Sequence, residues 1–340
     1  MMNILITGGT GAVGKAVVER LAAKGFTVKV IGRSSDVDIP GAQYTPCDIT
    51  DYPNLRAAVR GIDAVIHLAA VPNPSAVSSE QVFLANAQGT FNVYKACEEE
   101  GIQRVVQASS INALGVFYGK KPAPIHYLPV DEEHPCLSSD VYSFSKHVIE
   151  DIGDYYWRRS GISGVALRLP WVAPQTYRPR HSERQKPVQA LVERLLALSA
   201  DERTHWFHEA WTRYNELRAQ GMQEDRQVYM SLKERHPEWF GEALSAMSNR
   251  VNFWTMLDER DSAQAIEKSL TASYEGSHVL FVNDDKNWTG VPSQTLAELF
   301  YPDVTQFKKP LTGLDTFVSI EKARQLIGFE VEYSFGEPIL

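Results

Sequence analysis

Short apolar runs alternate with helical segments along the first half of the chain, and this rhythm constrains the fold more than any other feature. The runs have the character of buried strands and lie at residues 3–7, 27–32, 64–70 and 104–110. Segments with helical periodicity separate them, among them 53–60 and 79–100. Strands that alternate with helices form a parallel sheet through right-handed crossovers, with helices on both faces. The pattern therefore predicts an α/β fold built on a doubly wound parallel sheet.

A glycine-rich turn, TGGTGAVG, connects the first predicted strand to the first predicted helix. Gly8, Gly11 and Gly14 permit a tight turn, let a pyrophosphate approach the backbone, and let the helix pack closely on the strand. Phosphates bound there would meet the positive N-terminus of the helix. A glycine pattern alone is weak evidence, but its position between strand and helix favours dinucleotide binding over a mere tight turn.

Composition excludes several classes of protein. The 340 residues are 44% hydrophobic and carry a formal net charge of −8, so the chain can bury a sizeable core and has little attraction for nucleic acid or anionic membranes. No run of about 18 apolar residues predicts a membrane span, and no leader pattern precedes the first strand. The cysteines, Cys47, Cys97 and Cys136, lack metal-ligand spacing and predict reduced thiols. We expect a cytoplasmic enzyme with no nucleic-acid or membrane partner.

The second predicted strand ends in IGRSS, which bears on the choice of dinucleotide. An acidic residue about twenty positions beyond the glycine turn usually holds the ribose 2′-hydroxyl of NAD. Gly32 stands there instead, followed by Arg33 and Ser34, which suit a 2′-phosphate. NADP is therefore favoured over NAD. The alternative is that Arg33 is a solvated loop residue or stacks on the adenine of either cofactor.

Further motifs follow in a fixed order over residues 3–175 and again over about 254–335. Together with TGGTGAVG they are CDITD, VIHLAA, NAQGTFNVYKAC, VVQASSINALG, YSFSK, LRLPWVAP, RDSAQAI and SIEKARQLIGFE. This ordered set resembles the extended branch of the short-chain dehydrogenase/reductase family, which contains nucleotide-sugar epimerases, sugar dehydratases and related NAD(P)-dependent oxidoreductases. The resemblance implies a Rossmann fold, a bound dinucleotide and a small-molecule substrate.

The segment DVYSFSKHVIE, residues 140–150, begins an amphipathic helix. Tyr142 and Lys146 lie just over one turn apart and would project side by side. In the family the tyrosine of YxxxK is the general acid or base, and the lysine lowers its pKa and bonds the nicotinamide ribose. Ser110 matches the serine that hydrogen-bonds the substrate oxygen, and the reverse assignment to Ser109 stays open. A free phenol titrates at about 10, so it needs neighbouring positive charge to ionise near neutral pH.

The resemblance also implies a set of contacts with the cofactor and the substrate. Besides Tyr142 and Lys146, the cofactor set comprises Gly8, Thr10, Gly11, Ala12, Val13, Gly14, Arg33, Ser34, Asp48, Ile49, Leu68, Ala69, Ala70, Asn86 and Pro170. Asn86, and Asn112 of the substrate set, each have an equally good explanation as a structural or capping residue. The substrate set is Asn112, Trp171 and Arg178, and no metal site is predicted.

Two departures from the family narrow the function. Dehydratases of the group typically carry an Asp-Glu pair where this chain has Ile111 and Asn112, which disfavours dehydration. Nucleotide-sugar epimerases typically have an asparagine where Trp171 stands, which disfavours a nucleotide diphosphate and predicts a stacking wall. We therefore favour hydride transfer to or from a carbonyl or alcohol carbon of a small, sugar-like substrate. The alternatives are an NAD-dependent sugar epimerase and a catalytically silent protein that senses dinucleotide through a helical partner-binding insert.

Residues 176–253 depart furthest from the family and form a predicted helical insertion. Its helices are expected at about 186–199, 201–219, 224–235 and 238–250. The insertion is either a cap over the substrate or an oligomerisation appendage, and we favour the cap because this part of the chain adjoins the crevice at the carboxyl ends of the strands. The other predicted regions are a dinucleotide-binding domain at 1–175, to which 254–273 returns, and a C-terminal substrate-binding region at 274–340.

Two clusters within the insertion have both a functional and a structural explanation. The basic segment YRPRHSERQK could bind a carboxylate or phosphate, although such a charge run is more often a solvated face. His205 and His208 are three apart on a predicted helix, but no carboxylate at suitable spacing completes a metal site.

Relatives commonly dimerise through the YxxxK helix and the long helix before it, here about 140–159 and 79–100. Apolar side chains on both segments fit such a homodimer and fit packing on the sheet equally well.

Overall fold

The computed structural model of the chain describes residues 2–35 and 37–336. Its strands are β1 (Asn3–Thr7), β2 (Thr27–Gly32), β3 (Gln43–Pro46), β4 (Ala64–His67), β5 (Arg104–Ser110), β6 (Ser163–Leu169), β7 (Val172–Ala173), β8 (Leu257–Asp258) and β9 (Ser277–Phe281). The main sheet has the order β3-β2-β1-β4-β5-β6-β9, and each neighbouring pair is parallel. Strands β7 and β8 form a small parallel pair of their own. The predicted doubly wound α/β fold is confirmed.

Helices cover both faces of this sheet. They are α1 (Ala12–Ala23), α2 (Tyr52–Val59), α3 (Ser79–Phe83), α4 (Gly89–Glu99), α5 (Val141–Ser160), α6 (His181–Leu196), α7 (Ala200–Ala219), α8 (Arg226–Arg235), α9 (Glu242–Val251), α10 (Glu259–Thr271), α11 (Ser293–Phe300) and α12 (Glu321–Ile327). Alternation along β1 divides the core, because Ile4 and Ile6 pack with α1 and α10 whereas Leu5 packs with α2, α4 and α5. Both faces are therefore dry, as a parallel sheet requires.

The helical segment at 79–100 is interrupted in the middle. Helix α3 continues into a π-helical turn, Leu84–Gln88, before α4 begins. Within this turn the side chain of the buried Asn86 forms hydrogen bonds with residues outside the helix, Val71 and Ser145. The backbone carbonyl of Asn86 accepts a hydrogen bond from Thr90 Oγ1 at 2.7 Å. At Gly89 an added Cβ would lie 2.4 Å from Ile49 Cδ1, so the helix passes very close to the loop after β3. The widened turn is thus where the helix accommodates the candidate site, as such turns often do.

Strand β9 extends the main sheet beyond the regions predicted from the sequence. It pairs with β6, for example Leu167 with Leu280, although it lies in the segment 274–340 that the sequence assigns to substrate binding. Helix α10 packs on α1 and shares its hydrophobic cluster.

The insertion contains helices α6 to α9, close to their predicted places. Its apolar side chains share one hydrophobic cluster with the C-terminal region, in which Leu217 and Met247 pack with Trp254, Trp288 and Phe300. The insertion and the C-terminal region therefore share one hydrophobic core. No helix in the described part of the chain is long and apolar enough to cross a membrane.

Candidate active site

The turn between β1 and α1 requires glycine at two positions. Gly8 has φ +73°, and an added Cβ would lie 2.6 Å from Ala69 N; at Gly14 an added Cβ would lie 2.5 Å from Gly9 Cα. Gly11 is the N-cap residue of α1 and has no side chain that could accept a hydrogen bond from the backbone N–H groups of the first turn. These amides remain available to an anion at the positive end of the helix.

A cleft of about 710 Å³ lies above this turn, at the carboxyl ends of β1, β2 and β4. Of the predicted cofactor residues it is lined by Gly8, Thr10, Gly11, Ala12, Val13, Gly14, Arg33, Asp48, Ile49, Leu68, Ala69 and Ala70. Its size, its small side chains and the amides at one end fit a dinucleotide. The remaining predicted cofactor residues, Ser34, Asn86, Tyr142, Lys146 and Pro170, lie outside this lining.

The end of the cleft beside β2 has a distinctive arrangement around Gly32. An added Cβ at Gly32 would lie 3.1 Å from Tyr44 Oη, and that hydroxyl donates to the Ser34 carbonyl at 2.7 Å. Arg33 is exposed and lines the cleft, where its positive charge helps to lower the pKa of Asp48. The larger cause of that lowering is a hydrogen bond from the Thr50 amide, at 2.8 Å. The Tyr44 hydroxyl therefore occupies the direction that an acidic side chain at position 32 would take.

Helix α5 brings the predicted catalytic residues together. Asp140 caps it, accepting from the Ser143 amide at 2.8 Å, and the helix then runs unbroken through Tyr142 and Lys146. Both side chains are buried, and Lys146 Nζ lies 5.9 Å from the centroid of the Tyr142 ring. Lys146 Nζ also donates to the Ala108 carbonyl of β5 at 2.8 Å, and Ser110 interacts with the Tyr142 side chain from the end of the same strand.

Burial opposes charge on both members of the pair. It raises the pKa of Tyr142 to about 12, and the interaction with Ser110 lowers that pKa only in part. Burial also lowers the pKa of Lys146 to about 8, against the opposing charge of Glu150. The phenol therefore holds its proton at neutral pH, as a general acid does, and ionises only if positive charge gathers beside it.

Ser109 and Ser110 point in opposite directions, as neighbours on a strand must. Ser109 Oγ donates to Glu150 Oε1 at 2.6 Å, and Glu150 forms a buried ion pair with Arg168 of β6, at 2.8 Å between Nη2 and Oε2. Ser110 is left to face Tyr142. The geometry thus favours Ser110 over Ser109 for the substrate-facing position.

Asn86 has its side-chain amide engaged within the protein. Its Oδ1 accepts from the Val71 amide at 2.7 Å, and its Nδ2 donates to the Val71 carbonyl at 3.1 Å and to Ser145 Oγ at 3.0 Å. Ser145 in turn donates to the Tyr142 carbonyl at 2.7 Å. Asn86 therefore holds the segment after β4 against α5, which agrees with the structural explanation of this residue.

The predicted substrate residues differ in their surroundings. Asn112 is half-buried, and its backbone N–H donates to Ser110 Oγ at 3.1 Å. Trp171 is 48% exposed just beyond β6, with Tyr177 edge-on at 4.9 Å and the Arg184 guanidinium 5.1 Å from its ring. The guanidinium of Arg178 is occupied by Asp258, at 3.3 Å, and by two carbonyls near residue 334.

Two neighbours of the predicted catalytic set, Tyr118 and Glu150, were not identified from the sequence. Tyr118, in the loop after β5, presents its ring edge-on to Tyr142, with 5.6 Å between centroids and 80° between planes. Nothing in the local pattern signals this contact. Glu150, by contrast, follows Lys146 by one helical turn, and that spacing was a usable signal.

Comparison with known proteins supports the assignment of the fold and the motifs. The family model for the NAD dependent epimerase/dehydratase family matches residues 4–206. The chain belongs to this family, and the predicted relationship to the extended short-chain dehydrogenases/reductases is confirmed.

Named relatives include sugar dehydrogenases. The chain is 32% identical over 179 residues to a uronate dehydrogenase of Pseudomonas putida, which is 51% of this chain and 62% of the relative. It is 32% identical over 177 residues to an L-arabinose 1-dehydrogenase (NAD(P)(+)) of Haloferax volcanii, which is 51% of this chain and 68% of the relative. These matches thus span about three fifths to two thirds of each relative.

A solved structure shares the fold over nearly the whole chain. MoeE5 in complex with UDP-glucuronic acid and NAD superposes with a TM-score of 0.59 at 19% sequence identity, over 98% of this chain and 95% of that one. At this level of identity the likeness concerns the fold.

Replacing Lys146 tests its electrostatic environment. The folded-state pKa, about 8, lies below the value of 10.5 for a free lysine, so burial of the charge costs stability below pH 8 and this cost vanishes as the pH rises through 10.5. Lys146→Met should therefore be more stable than the parent protein at pH 7, by roughly 1–3 kcal/mol, with the difference shrinking between pH 8 and 10.5. Urea unfolding at several pH values measures this, and exposed Lys121→Met, the matched control, should gain nothing. A Lys146→Met protein less stable than the parent at pH 7 would contradict the assigned environment.

Proposed function

We propose that the protein is an NAD(P)-dependent oxidoreductase that transfers hydride to or from a carbonyl or alcohol carbon of a small, sugar-like substrate. The observation that carries this proposal is the meeting of Ser110, Tyr142 and Lys146 at the carboxyl edge of a sheet that also bears a cleft of dinucleotide size. Relatives named as uronate and L-arabinose dehydrogenases support the class of substrate.

Each residue of the set has a distinct task in the proposed reaction. A nicotinamide dinucleotide in the cleft would supply or accept the hydride. In the reducing direction Tyr142 gives its proton to the substrate oxygen, because its hydroxyl is protonated at neutral pH. In the oxidising direction the phenolate of Tyr142 would take the proton from the substrate hydroxyl. Ser110 orients the same oxygen from the end of β5. Lys146, one turn further along α5, places its ammonium beside the phenol and stabilises the phenolate whenever it forms.

Tyr142→Phe tests the proposed proton transfer. Turnover should fall by a factor of about 10² to 10⁴, because the general acid or base is lost while the ring and its packing remain. Dinucleotide affinity, measured by fluorescence titration, should stay within about twofold of the parent. Tyr155→Phe is the matched control, since Tyr155 lies on the outer face of the same helix and is 40% exposed. Full activity in Tyr142→Phe would remove this residue from the mechanism.

A sugar epimerase is the second candidate, because the family is described as epimerases and dehydratases and the relatives include a putative UDP-glucose 4-epimerase of Methanocaldococcus jannaschii. The two are separated by denaturing the purified protein and measuring the absorbance of the released solution. Stoichiometric NAD released in this way, without net NADPH consumption on a panel of sugars and uronates, would favour the epimerase.

We propose further that the protein prefers NADP. The support is the exposed Arg33 at the end of β2, together with the glycine at position 32, where the Tyr44 hydroxyl would lie only 3.1 Å from an added Cβ. A guanidinium pairs well with a phosphate, whereas the ribose hydroxyls of NAD would lack their usual carboxylate partner.

Arg33→Ala should raise the Kd for NADP by about 10- to 100-fold, because a charge-assisted contact with the 2′-phosphate is lost, and should leave the Kd for NAD nearly unchanged. Arg60→Ala removes an equivalent exposed charge elsewhere and should change neither constant. The double variant Gly32→Asp/Tyr44→Phe makes room for a carboxylate and should shift preference toward NAD. Parent protein that binds NAD more tightly than NADP would refute the proposed preference.

On the substrate side, we propose that Asn112 and Trp171 line the pocket and that a sugar ring stacks on Trp171. The exposure of this indole at the carboxyl end of β6 supports its role. Arg178, also predicted to contact the substrate, has its guanidinium engaged by Asp258 and the C-terminal segment, so we assign it a structural role.

We also propose a cytoplasmic location, which the three unpaired cysteines support.

We propose a homodimer formed by the outer faces of α3, α4 and α5. Exposed aromatic side chains follow this surface in two stacked pairs, Phe83 with Phe144 at 5.7 Å and Phe91 with Tyr155 at 6.5 Å. Each of these four rings is between 38% and 48% exposed, which is costly for a monomer and usual for an isologous interface.

Phe91→Glu should convert the dimer to a monomer, because it buries a charge at the centre of the proposed interface. Phe307→Glu is the control, since Phe307 is equally exposed, at 43%, but lies in the C-terminal region. Sedimentation velocity measures the mass of each variant. Parent protein that is monomeric at about 50 µM, or Phe307→Glu that dissociates equally, would contradict this interface.

A further inference from the structure

A buried arginine of the insertion binds the loop that follows β5. Arg218 lies on α7 and is 1% exposed. Its Nε donates to the Gly119 carbonyl at 2.6 Å, and its Nη2 donates to the Tyr118 carbonyl at 2.5 Å. A planar guanidinium is suited to donate hydrogen bonds to two successive backbone carbonyls, because its N–H groups have a fixed, fork-like geometry. The insertion is thus connected directly to the loop at 115–119.

The same loop is pressed against the residues that precede α5. Gly115 has φ +77°, and an added Cβ would lie 2.4 Å from Ser138 N; Gly119 has φ +94°, and an added Cβ would lie 2.2 Å from Ser139 Oγ. Both glycines therefore allow a backbone course that side chains would block. The loop lies between Arg218 on one side and the start of α5 on the other.

This course places Tyr118 on the candidate catalytic phenol. The Tyr118 ring meets the Tyr142 ring edge-on at 5.6 Å, and both pack with Val71 and Val82. The edge-to-face arrangement is the favourable one for two aromatic rings, and it covers the phenol from the side of the insertion. Burial of this kind is also the main cause of the raised pKa of Tyr142.

We propose that Arg218 and Tyr118 are positioning residues for the reaction: Arg218 fixes the loop at 115–119, and the loop holds the Tyr118 ring over Tyr142, where it excludes water and sets the angle of the phenol. This inference rests on the proposed function, because it assumes that Tyr142 transfers the proton. It assigns the insertion a part in catalysis through the shape of the site, in addition to any contact with substrate.

Several charged or titratable groups surround Tyr142 and enter the expected pH dependence. Lys146 and Asp140 face it from α5, Tyr118 from the loop, and Ser110 from β5. Arg218 and Glu224, from the insertion, both interact with Asp140. Removal of the Tyr118 ring admits water to the phenol and leaves these charges in place, so the pKa of Tyr142 should fall toward its ordinary value of about 10.

The test compares four variants by the pH profile of kcat, measured with saturating dinucleotide and substrate. Tyr118→Ala and Arg218→Met should each lower kcat at least tenfold. Tyr118→Ala, which leaves the surrounding charges in place, should also move the limb of the profile that reports Tyr142 downward by about one pH unit. Tyr118→Phe keeps the ring and should match the parent within about twofold. Arg250→Met is the matched control: Arg250 is equally buried on α9 and donates to the Phe300 carbonyl at 2.5 Å, away from the loop, so it should lower the Tm without moving the profile.

Hydrogen exchange gives a readout that does not depend on activity. Arg218→Met should accelerate amide exchange at 115–121, whereas Arg250→Met should not. If Arg218→Met fails to fold, Arg218→Lys replaces it, since an ammonium cannot grip both carbonyls and should give a smaller change in the same direction.

The outcomes distinguish this inference from the proposed function. Activity that Tyr142→Phe abolishes but that Tyr118→Ala leaves unchanged, in rate and in pH profile, would overturn the inference alone. Exchange at 115–121 that is equally fast in Arg218→Met and Arg250→Met would also overturn it. Full activity in Tyr142→Phe would refute the proposed function, and the exchange result would then decide whether Arg218 still fixes the loop.

Discussion

The buried ion pair between Arg168 and Glu150 fixes the relation between helix and sheet on which the candidate site depends. Arg168 belongs to β6 and Glu150 to α5, and two nitrogens of the guanidinium meet the two carboxylate oxygens at 2.9 and 2.8 Å. Burial of two charges is costly unless their geometry is good, and removal of one partner would leave the other charge uncompensated. The pair therefore sets both the rotation and the height of α5 on the sheet. Because Ser109 also donates to Glu150, the alternation along β5 then turns Ser110 toward Tyr142.

The insertion is joined to this arrangement by polar as well as apolar contacts. Its side chains pack in one cluster with the C-terminal region, and Arg218 and Arg250 both bury a guanidinium against backbone carbonyls. Such contacts are directional, whereas apolar packing alone tolerates sliding. A body held in this way has a defined orientation over the carboxyl edge of the sheet. The choice between a cap over the substrate, which the sequence favours, and an oligomerisation appendage stays a prediction.

Features of the site that are local in sequence were predictable, and those that depend on distant contacts were not. The glycine turn, the strands β1, β2 and β5, and the spacing of Tyr142 and Lys146 follow from patterns within about ten residues. The four helices of the insertion were placed within a few residues, because their periodicity is local as well. By contrast, Tyr44 beside Gly32 and Tyr118 on Tyr142 join separate segments, and the assignment of Ser110 over Ser109 required the partner of Ser109 on α5. Strand β9 was missed as part of the sheet because its partner, β6, lies more than 100 residues earlier.

The last described residues, near 335, form hydrogen bonds with the start of the insertion. Arg178 donates to the Ser334 carbonyl and His181 contacts the Phe335 carbonyl, while the Phe335 amide donates to Asp284. The insertion begins near the middle of the chain, yet these contacts form only when residues near 335 are present. During synthesis the first strands and helices can assemble while the insertion still lacks its final partners, since chains are made from the N-terminus. Translation therefore delays the completion of the contacts around Arg178 and His181 until the residues near 335 have been synthesised.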